Sequence, residues 1–337
     1  MSFGQGAAIF GCSGPVLTRD EAAFFREADP FGFILFARNV ETPDQVRRLT
    51  DDLRAATGHD APILVDQEGG RVQRLRAPHW REWLPPLDQV AQSAAQAARG
   101  MAIRSRIIAH ELRAVGIDAN CAPCCDLASE NTHPFLRNRC YGSDPAEVAA
   151  IARAVAEAHL AGGVLPVMKH MPGHGRSTAD THHDLPTVTA SAETLDRTDF
   201  APFRALRDMP LAMTAHVVFA AFDPDRPATQ SPAMIDVIRN RIGFGGLLMT
   251  DDLNMQALSG TLASRAAAAR AAGCDIALHC KGDLAEMEAV AAVAGTLDTA
   301  SRGRAAAALA LRRSPDPVDI AALEDDLAAI LRGSTHV

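Results

Sequence analysis

Apolar residues along this chain gather into short runs, and most pairs of runs are separated by a longer stretch in which apolar positions recur at helical spacing. The runs are AAIFGCSG from Ala7, GFILFARN from Gly32, APILVDQEGG from Ala61, IDANCAPCCD from Ile117, LPVMKHMPGHG from Leu165, LAMTAHVVF from Leu211, GLLMTDDLN from Gly246 and CDIALHC from Cys274. The intervening segments, such as TPDQVRRLTDDLRAATG and DPAEVAAIARAVAEAHLAGG, carry Ser, Thr or Asp near their starts and Gly at their ends, which marks capped helices. Strands alternating with amphipathic helices form parallel βαβ units. Eight units predict an α/β fold, a single (β/α)8 TIM-type barrel. An open doubly wound sheet would carry a glycine-rich G-x-G-x-x-G first turn, and none is present. No Pro/Ser-rich linker divides the chain, and the Ala/Arg-rich end from about Asp283 reads as closing helices. One catalytic domain over residues 1–337 is expected.

The polar residues at the strand ends are of unusual kinds. The third strand ends in Asp66-Gln67-Glu68-Gly69-Gly70-Arg71, the fifth in Lys169-His170, the sixth near His216 and the seventh in Asp251-Asp252. The C-terminal strand ends of such a barrel converge on one mouth, so these groups should meet. Period-two geometry adds that if Leu247 and Met249 point inward, Asp251 does too, while Thr250 and Asp252 face the other way. Asp252 then reads as the N-cap of a helix over LNMQAL, and Asp126, after the fourth strand, as a structural acid.

Composition narrows the functional classes. With 337 residues, 47% hydrophobic and 22% charged, the chain can bury a large core. Its net charge of -8 is dispersed and no Lys/Arg run is long, so nucleic acid and anionic membranes are not expected partners. The first residues, MSFGQGAAIFGCSGPVL, lack the charge and unbroken apolar stretch of a signal peptide, and a cytoplasmic protein is expected. Its seven cysteines are an odd number lying mostly in apolar runs, and they read as buried thiols. The Cys121-x-x-Cys124 pair has no second Cys/His pair at zinc spacing. One Tyr and two Trp leave no aromatic platforms for a long polysaccharide, and a small exo-acting site follows; a monomer is expected.

The segment KHMPGHGRSTADTHHDLP, Lys169 to Pro186, holds four histidines and two aspartates without helical or strand periodicity. Long unstructured loops in compact domains are usually functional. Metal binding is the obvious rival, but no H-x-H or H-E-x-x-H spacing appears and Lys169 adjoins His170; no metal and no cofactor are expected. Gly173 and Gly175 permit hinge conformations, which predicts that the loop from Met171 to Leu185 closes over a ligand.

These motifs resemble the bacterial β-N-acetylglucosaminidases of glycoside hydrolase family 3, the NagZ type that acts in peptidoglycan recycling. The resemblance rests on KHMPGHG with the following Asp180-Thr181-His182, TDDLNM from Thr250, VDQEGGRVQRL from Val65, NRCYGSDP from Asn138 and MTAHVVF from Met213. The family's usual D-S-H stands here as Asp180-Thr181-His182, with an extra His183. The resemblance implies a retaining exo-β-N-acetylhexosaminidase acting on terminal β-linked GlcNAc of muropeptide fragments, with Asp251 as nucleophile. The Asp180/His182 pair would be acid/base, and Asp66, Arg71, Arg139, Lys169 and His170 would bind the sugar. Chemistry agrees on the division of roles: one group protonates the leaving oxygen and another traps the oxocarbenium-like centre. A histidine titrating near 6.5 suits the first at neutral pH. Arg71 could equally pair with Glu68 and only shape the mouth; Arg139 would support a hydroxyl or a neighbouring acid. His174 and His216 read as packing residues, although His183 or His174 could take the acid role. Substrate-assisted cleavage by Asp251-Asp252, phosphorolysis, a metal-dependent hydrolase and a non-catalytic muropeptide-binding barrel are the competing readings.

Overall fold

The computed structural model describes residues 3–177 and 184–333. Each of the eight apolar runs supplies a parallel strand: β1 Gly6–Gly11, β2 Pro30–Leu35, β3 Ile63–Val65, β4 Ala119–Asn120, β5 Leu165–Met171, β6 Leu211–Thr214, β7 Leu247–Met249 and β8 Ala277–His279. Their hydrogen-bonded order is β7-β6-β5-β4-β3-β2-β1-β8. The ring closes where Met249 bridges Ile276 in parallel register and the Thr250 N–H donates to Ile276 O at 3.0 Å.

Strand parity decides what faces what. Leu64, Ala119, Val167, Leu211, Met213, Leu247, Met249 and Leu278 fill the barrel interior. Their neighbours in sequence, among them Ile63 and Val65 and Met168, Ala212 and Leu248, pack outward against helices. Both faces are dry, so the strands read as continuous apolar runs, and each fully buried Leu or Ile contributes roughly 1.5–3 kcal/mol.

The helices begin and end where their capping residues stand. α1, Arg19–Ala28, starts at Thr18 in a capping box with Glu21, and α2, Pro43–Thr57, runs from an N-cap at Thr42 to Gly58 at φ 73°. α3, Ala97–Arg113, lies beside α4, Pro145–Ala161; the Asp144 carboxylate caps α4 through the N–H groups of Ala146 and Glu147. α5, Leu262–Ala272, is capped by Thr261. Three further helices follow β8: α6 Leu284–Ala294, α7 Thr299–Ala310 and α8 Ile320–Gly333. Leu327 and Ile330 of α8 pack on Ile103 and Ile107 of α3.

The helix expected over LNMQAL does not form, and Asp252 is not its N-cap. The Asp252 carboxylate accepts the N–H groups of Asn254 and Cys280, both at 3.1 Å, and the Leu253 N–H reaches Leu278 O at 3.0 Å. The segment makes tight i→i+3 turns instead, Met255 N–H to Asp252 O at 3.1 Å and Leu258 N–H to Met255 O at 3.2 Å, while Leu253 and Asp252 tie it to the end of β8. Two small additions sit on the rim. After β3, Gln67–Gly69 pairs with Val72–Gln73 as a hairpin. After β6, Val218–Phe219 pairs with Thr187–Val188 and with Asp223–Pro227. Among the described residues no helix is long and apolar enough to cross a membrane.

Candidate active site

The C-terminal strand ends surround a cavity of about 220 Å³ whose lining includes Asp66, Arg71, Arg139, Lys169, His170 and Asp251. Each of these arrives by strand parity or by the loop that follows a strand. Leu64 faces the barrel interior, so Asp66 does too; Val167 does the same for Lys169, and Met249 for Asp251.

A charge lattice forms the floor. Lys169 Nζ donates to Asp66 Oδ1 at 2.7 Å and lies 2.6 Å from Glu68 Oε1. Arg74 donates to the other Asp66 oxygen at 2.9 Å, and Arg139 clasps Glu68 with two bonds of 2.9 and 2.8 Å. Burial alone would raise both acids, but Lys169 and Arg74 outweigh it and hold Asp66 well below the usual carboxylate range. Burial is likewise outweighed at Glu68, where Arg139 and Lys169 bring the pKa down to about 2. The lattice is therefore ionised, a polar floor in which the cations Lys169, Arg74 and Arg139 outnumber the carboxylates Asp66 and Glu68 by one. It is positioned by the hairpin after β3, whose turn needs Gly69 and Gly70 at φ 107° and 57°; a Cβ on Gly69 would sit 1.6 Å from the Arg104 guanidinium.

Asp126 organises the adjacent wall. Its carboxylate accepts His170 Nδ1–H at 2.7 Å and the His174 N–H at 2.6 Å. That fixes the His170 tautomer, leaving Nε2 to accept from Arg139 at 3.3 Å. Burial raises Asp126, yet His170 and His174 take it down to about 2. Across the cavity, Asp251 accepts the Asp252 N–H at 2.8 Å. Burial pushes Asp251 up, and His170, His216, this N–H and Lys169 more than reverse it, so Asp251 is a carboxylate at neutral pH. Burial and the neighbouring Asp251 instead raise Asp252 to about 6. His216 lies beneath both, donating from Nε2 to Asp252 O at 3.0 Å and accepting at Nδ1 from Thr229 at 2.7 Å.

Asp66, Lys169, His170 and Asp251 thus converge as read from the strand ends, and Arg139, expected from the resemblance alone, joins them. Arg71 stands at the outer lip, its guanidinium 4.1 Å above the Phe135 ring and donating to Phe135 O at 2.5 Å; Glu68 pairs with Arg139 and Lys169. Asp180, His182 and His183, and with them the part of the expected closing loop from 178 to 183, lie outside the described residues. Glu68, Arg74 and Asp126, which hold the cavity-lining Arg139, Asp66 and His170 in place, are positions that sequence reasoning undervalued. For Glu68 and Arg74 the signal was present, since both lie in the same VDQEGGRVQRL run; for Asp126 only the fold brings the His170 ring to it. All seven cysteines are free and buried.

The family model for the glycosyl hydrolase family 3 N-terminal domain matches residues 18–310. The chain belongs to glycoside hydrolase family 3. It is a glycoside hydrolase by the same evidence, since β-hexosaminidases are its relatives over most of its length. That of Methylococcus capsulatus is 38% identical over 303 residues, covering 88% of each chain. That of Bordetella avium is 36% identical over 290 residues, covering 83% of this chain and 82% of its own. Among solved structures, native NagZ from Neisseria gonorrhoeae superposes with a TM-score of 0.84 at 29% identity, covering 99% of both chains. A family 3 β-N-acetylglucosaminidase from Paenibacillus sp. FPU-7 gives 0.84 at 30% identity, covering 98% of this chain and 66% of its own.

Proposed function

We propose that this family 3 hydrolase is a retaining exo-β-N-acetylhexosaminidase that releases terminal, non-reducing β-linked GlcNAc from muropeptide fragments of the GlcNAc–1,6-anhydro-MurNAc type. The observation that carries the reading is Asp251. It is a buried carboxylate held ionised on the wall of a sugar-sized cavity, facing an ion lattice that can hydrogen-bond hydroxyls and whose one excess positive charge offsets that of Asp251.

In this mechanism Asp251 attacks the anomeric carbon as the glycosidic bond breaks. His182, oriented by Asp180, protonates the leaving oxygen and then takes a proton from the water that releases the sugar. Asp66 and Lys169 bond sugar hydroxyls, and His170 joins them through Nε2. Arg139 acts on His170 and Glu68, and Arg71 on whatever is attached to the sugar at the lip. No cofactor or metal enters the scheme. A recycled wall fragment would reach the enzyme in the cytoplasm, and a monomer suffices.

The test is intact-mass analysis after reaction with a slow fluorinated GlcNAc donor, with peptide mapping of the adduct. A single glycosyl adduct on Asp251 is expected. Turnover with no trapped adduct would transfer the nucleophilic role to the substrate acetamide, and sugar phosphate as the product in phosphate buffer would make the enzyme a phosphorylase.

A further inference from the structure

At the opposite end of the barrel from the active site, a cleft of about 300 Å³ is lined by Arg54, Asp60, Arg113, Asp118, Arg312 and Arg313. Arg54 belongs to α2 and Arg113 ends α3, Arg312 and Arg313 follow α7, and the two aspartates precede β3 and β4. Asp118 is fixed: its Oδ1 accepts the Ile63 N–H at 2.7 Å, and its Oδ2 accepts from Arg54 at 3.0 Å and from Arg312 at 2.8 Å. Asp60 is loose. Its side chain is 68% exposed, yet its two oxygens bridge Arg54 Nε at 3.0 Å and Arg312 at 2.6 Å. The other two guanidiniums are weakly held. The ion pair of Arg113 with Asp118 is 3.7 Å long, and the buried Arg113 Nε has no hydrogen-bond partner among the described residues. Arg313 is 3.9 Å from Asp316, and both side chains are exposed.

We propose that this cleft binds the dianionic phosphate group of a small molecule, either free phosphate or a phosphate monoester. Its four arginines exceed its two aspartates by two charges, in a chain whose net charge is -8, and a phosphate monoester carries about -1.5 to -2 at pH 7. Guanidinium forks match phosphate oxygens in pairs. The Asp60 carboxylate bridges Arg54 and Arg312 as two phosphate oxygens would, and from its exposed position it swings out to solvent when the ligand enters. A third oxygen is left for Arg113 and Arg313, whose present carboxylate partners are distant. Asp118 stays on the Ile63 N–H and keeps Arg54 and Arg312 in place. The bound group ties α2, the end of α3 and the segment after α7 together, so it stabilises the fold.

The full-length protein is titrated calorimetrically with potassium phosphate and with glucose 6-phosphate, and potassium chloride at matched ionic strength serves as the control. The wild type should bind phosphate at one site and melt at a higher temperature in its presence than in chloride. Tighter binding of the ester would make a phosphorylated metabolite the ligand, and equal or weaker binding free phosphate. Arg113→Gln and Arg313→Gln should each weaken phosphate binding by at least about fivefold. Asp60→Asn should tighten it by about threefold or more, because the competing carboxylate is gone. All three variants should keep wild-type turnover of an aryl β-GlcNAc, which verifies their fold. A cluster that only braces the barrel would not bind phosphate more tightly once Asp60 is neutralised. Unchanged or weaker binding in Asp60→Asn, affinity equal to wild type in both arginine variants, or a wild type that responds to phosphate no more than to chloride would each overturn the assignment.

Discussion

At the residue scale the proton donor offers the sharpest contrast. A sugar alcohol is a poor leaving group and needs protonation, whereas an activated nitrophenolate departs with little help. His182→Ala should therefore lose about 10²- to 10⁴-fold in kcat/KM on a GlcNAc disaccharide and much less on the nitrophenyl glycoside. Asp180→Asn should give a weaker version of the same pattern, and His183→Ala should not. Equal losses on both substrates in His182→Ala would assign that histidine to binding and hand the acid role to His183 or His174. The two adjacent aspartates are told apart in the same way. Asp251→Asn should retain the fold and sugar affinity while turnover drops by several orders of magnitude. Asp252→Asn keeps an acceptor oxygen for the Asn254 and Cys280 N–H groups and should remain active; the reverse outcome would mean the wrong aspartate was chosen. Asp251 was legible beforehand because strand parity is strict. The role of Asp252 was not, because its partner Cys280 is far away in sequence and a capping acid before an apolar stretch looks the same whichever backbone N–H groups it caps.

The elements show the same division. Segments with a complete local signal formed as read: α2 starts at Thr42-Pro43 and stops at Gly58, and α4 starts at Asp144-Pro145. Elements whose hydrogen bonds come from distant chain, such as the rim piece Val218–Phe219 pairing with Thr187–Val188, left no periodic trace. The start of the loop after β5 depends on one close approach that the sequence showed only as a glycine. A Cβ at Gly175 would meet Leu127 O at 2.1 Å and the Leu127 backbone N and C at 2.9 Å, and Gly175 O accepts the Thr132 hydroxyl at 2.5 Å. Gly175→Ala must push this segment off the wall built by residues 125–132, shifting His174 and everything the loop carries toward the leaving group. Small displacements of catalytic groups can cost about 10²-fold, so kcat/KM on the disaccharide should fall by roughly that factor while the thermal midpoint changes little. A variant with normal kinetics would show that the loop acts independently of this anchor.

For the whole molecule, pH couples to stability through histidines that the fold keeps neutral. Burial takes His159, His174 and His279 down to about 4. Their unfolded value is near 6.5, so between about pH 6.5 and 4 the unfolded chain binds protons that the folded chain refuses, and stability must fall as the pH drops. Asp252, whose raised value favours the fold as pH falls through about 6, and Glu111, raised by burial, work the other way, but burial lowers His59 and His216 as well, so the histidines outnumber them. Below about 4.5 the depressed carboxylates Glu68 and Asp126 add a second loss in the same direction. His279 isolates the effect. Its ring is fully buried and edge-on to Phe10 at 6.4 Å, and neither ring nitrogen has a hydrogen-bond partner among the described residues. His279→Leu removes a group that makes no hydrogen bond, so at pH 7.5 its urea midpoint should lie close to wild type. By pH 4.5 the variant should be the more stable by on the order of 2 kcal/mol, because it no longer has a proton to refuse. A constant difference between the two proteins from pH 7.5 to 4.5 would mean that the ring ionises in place, with Glu286 at 3.8 Å as the partner that allows it.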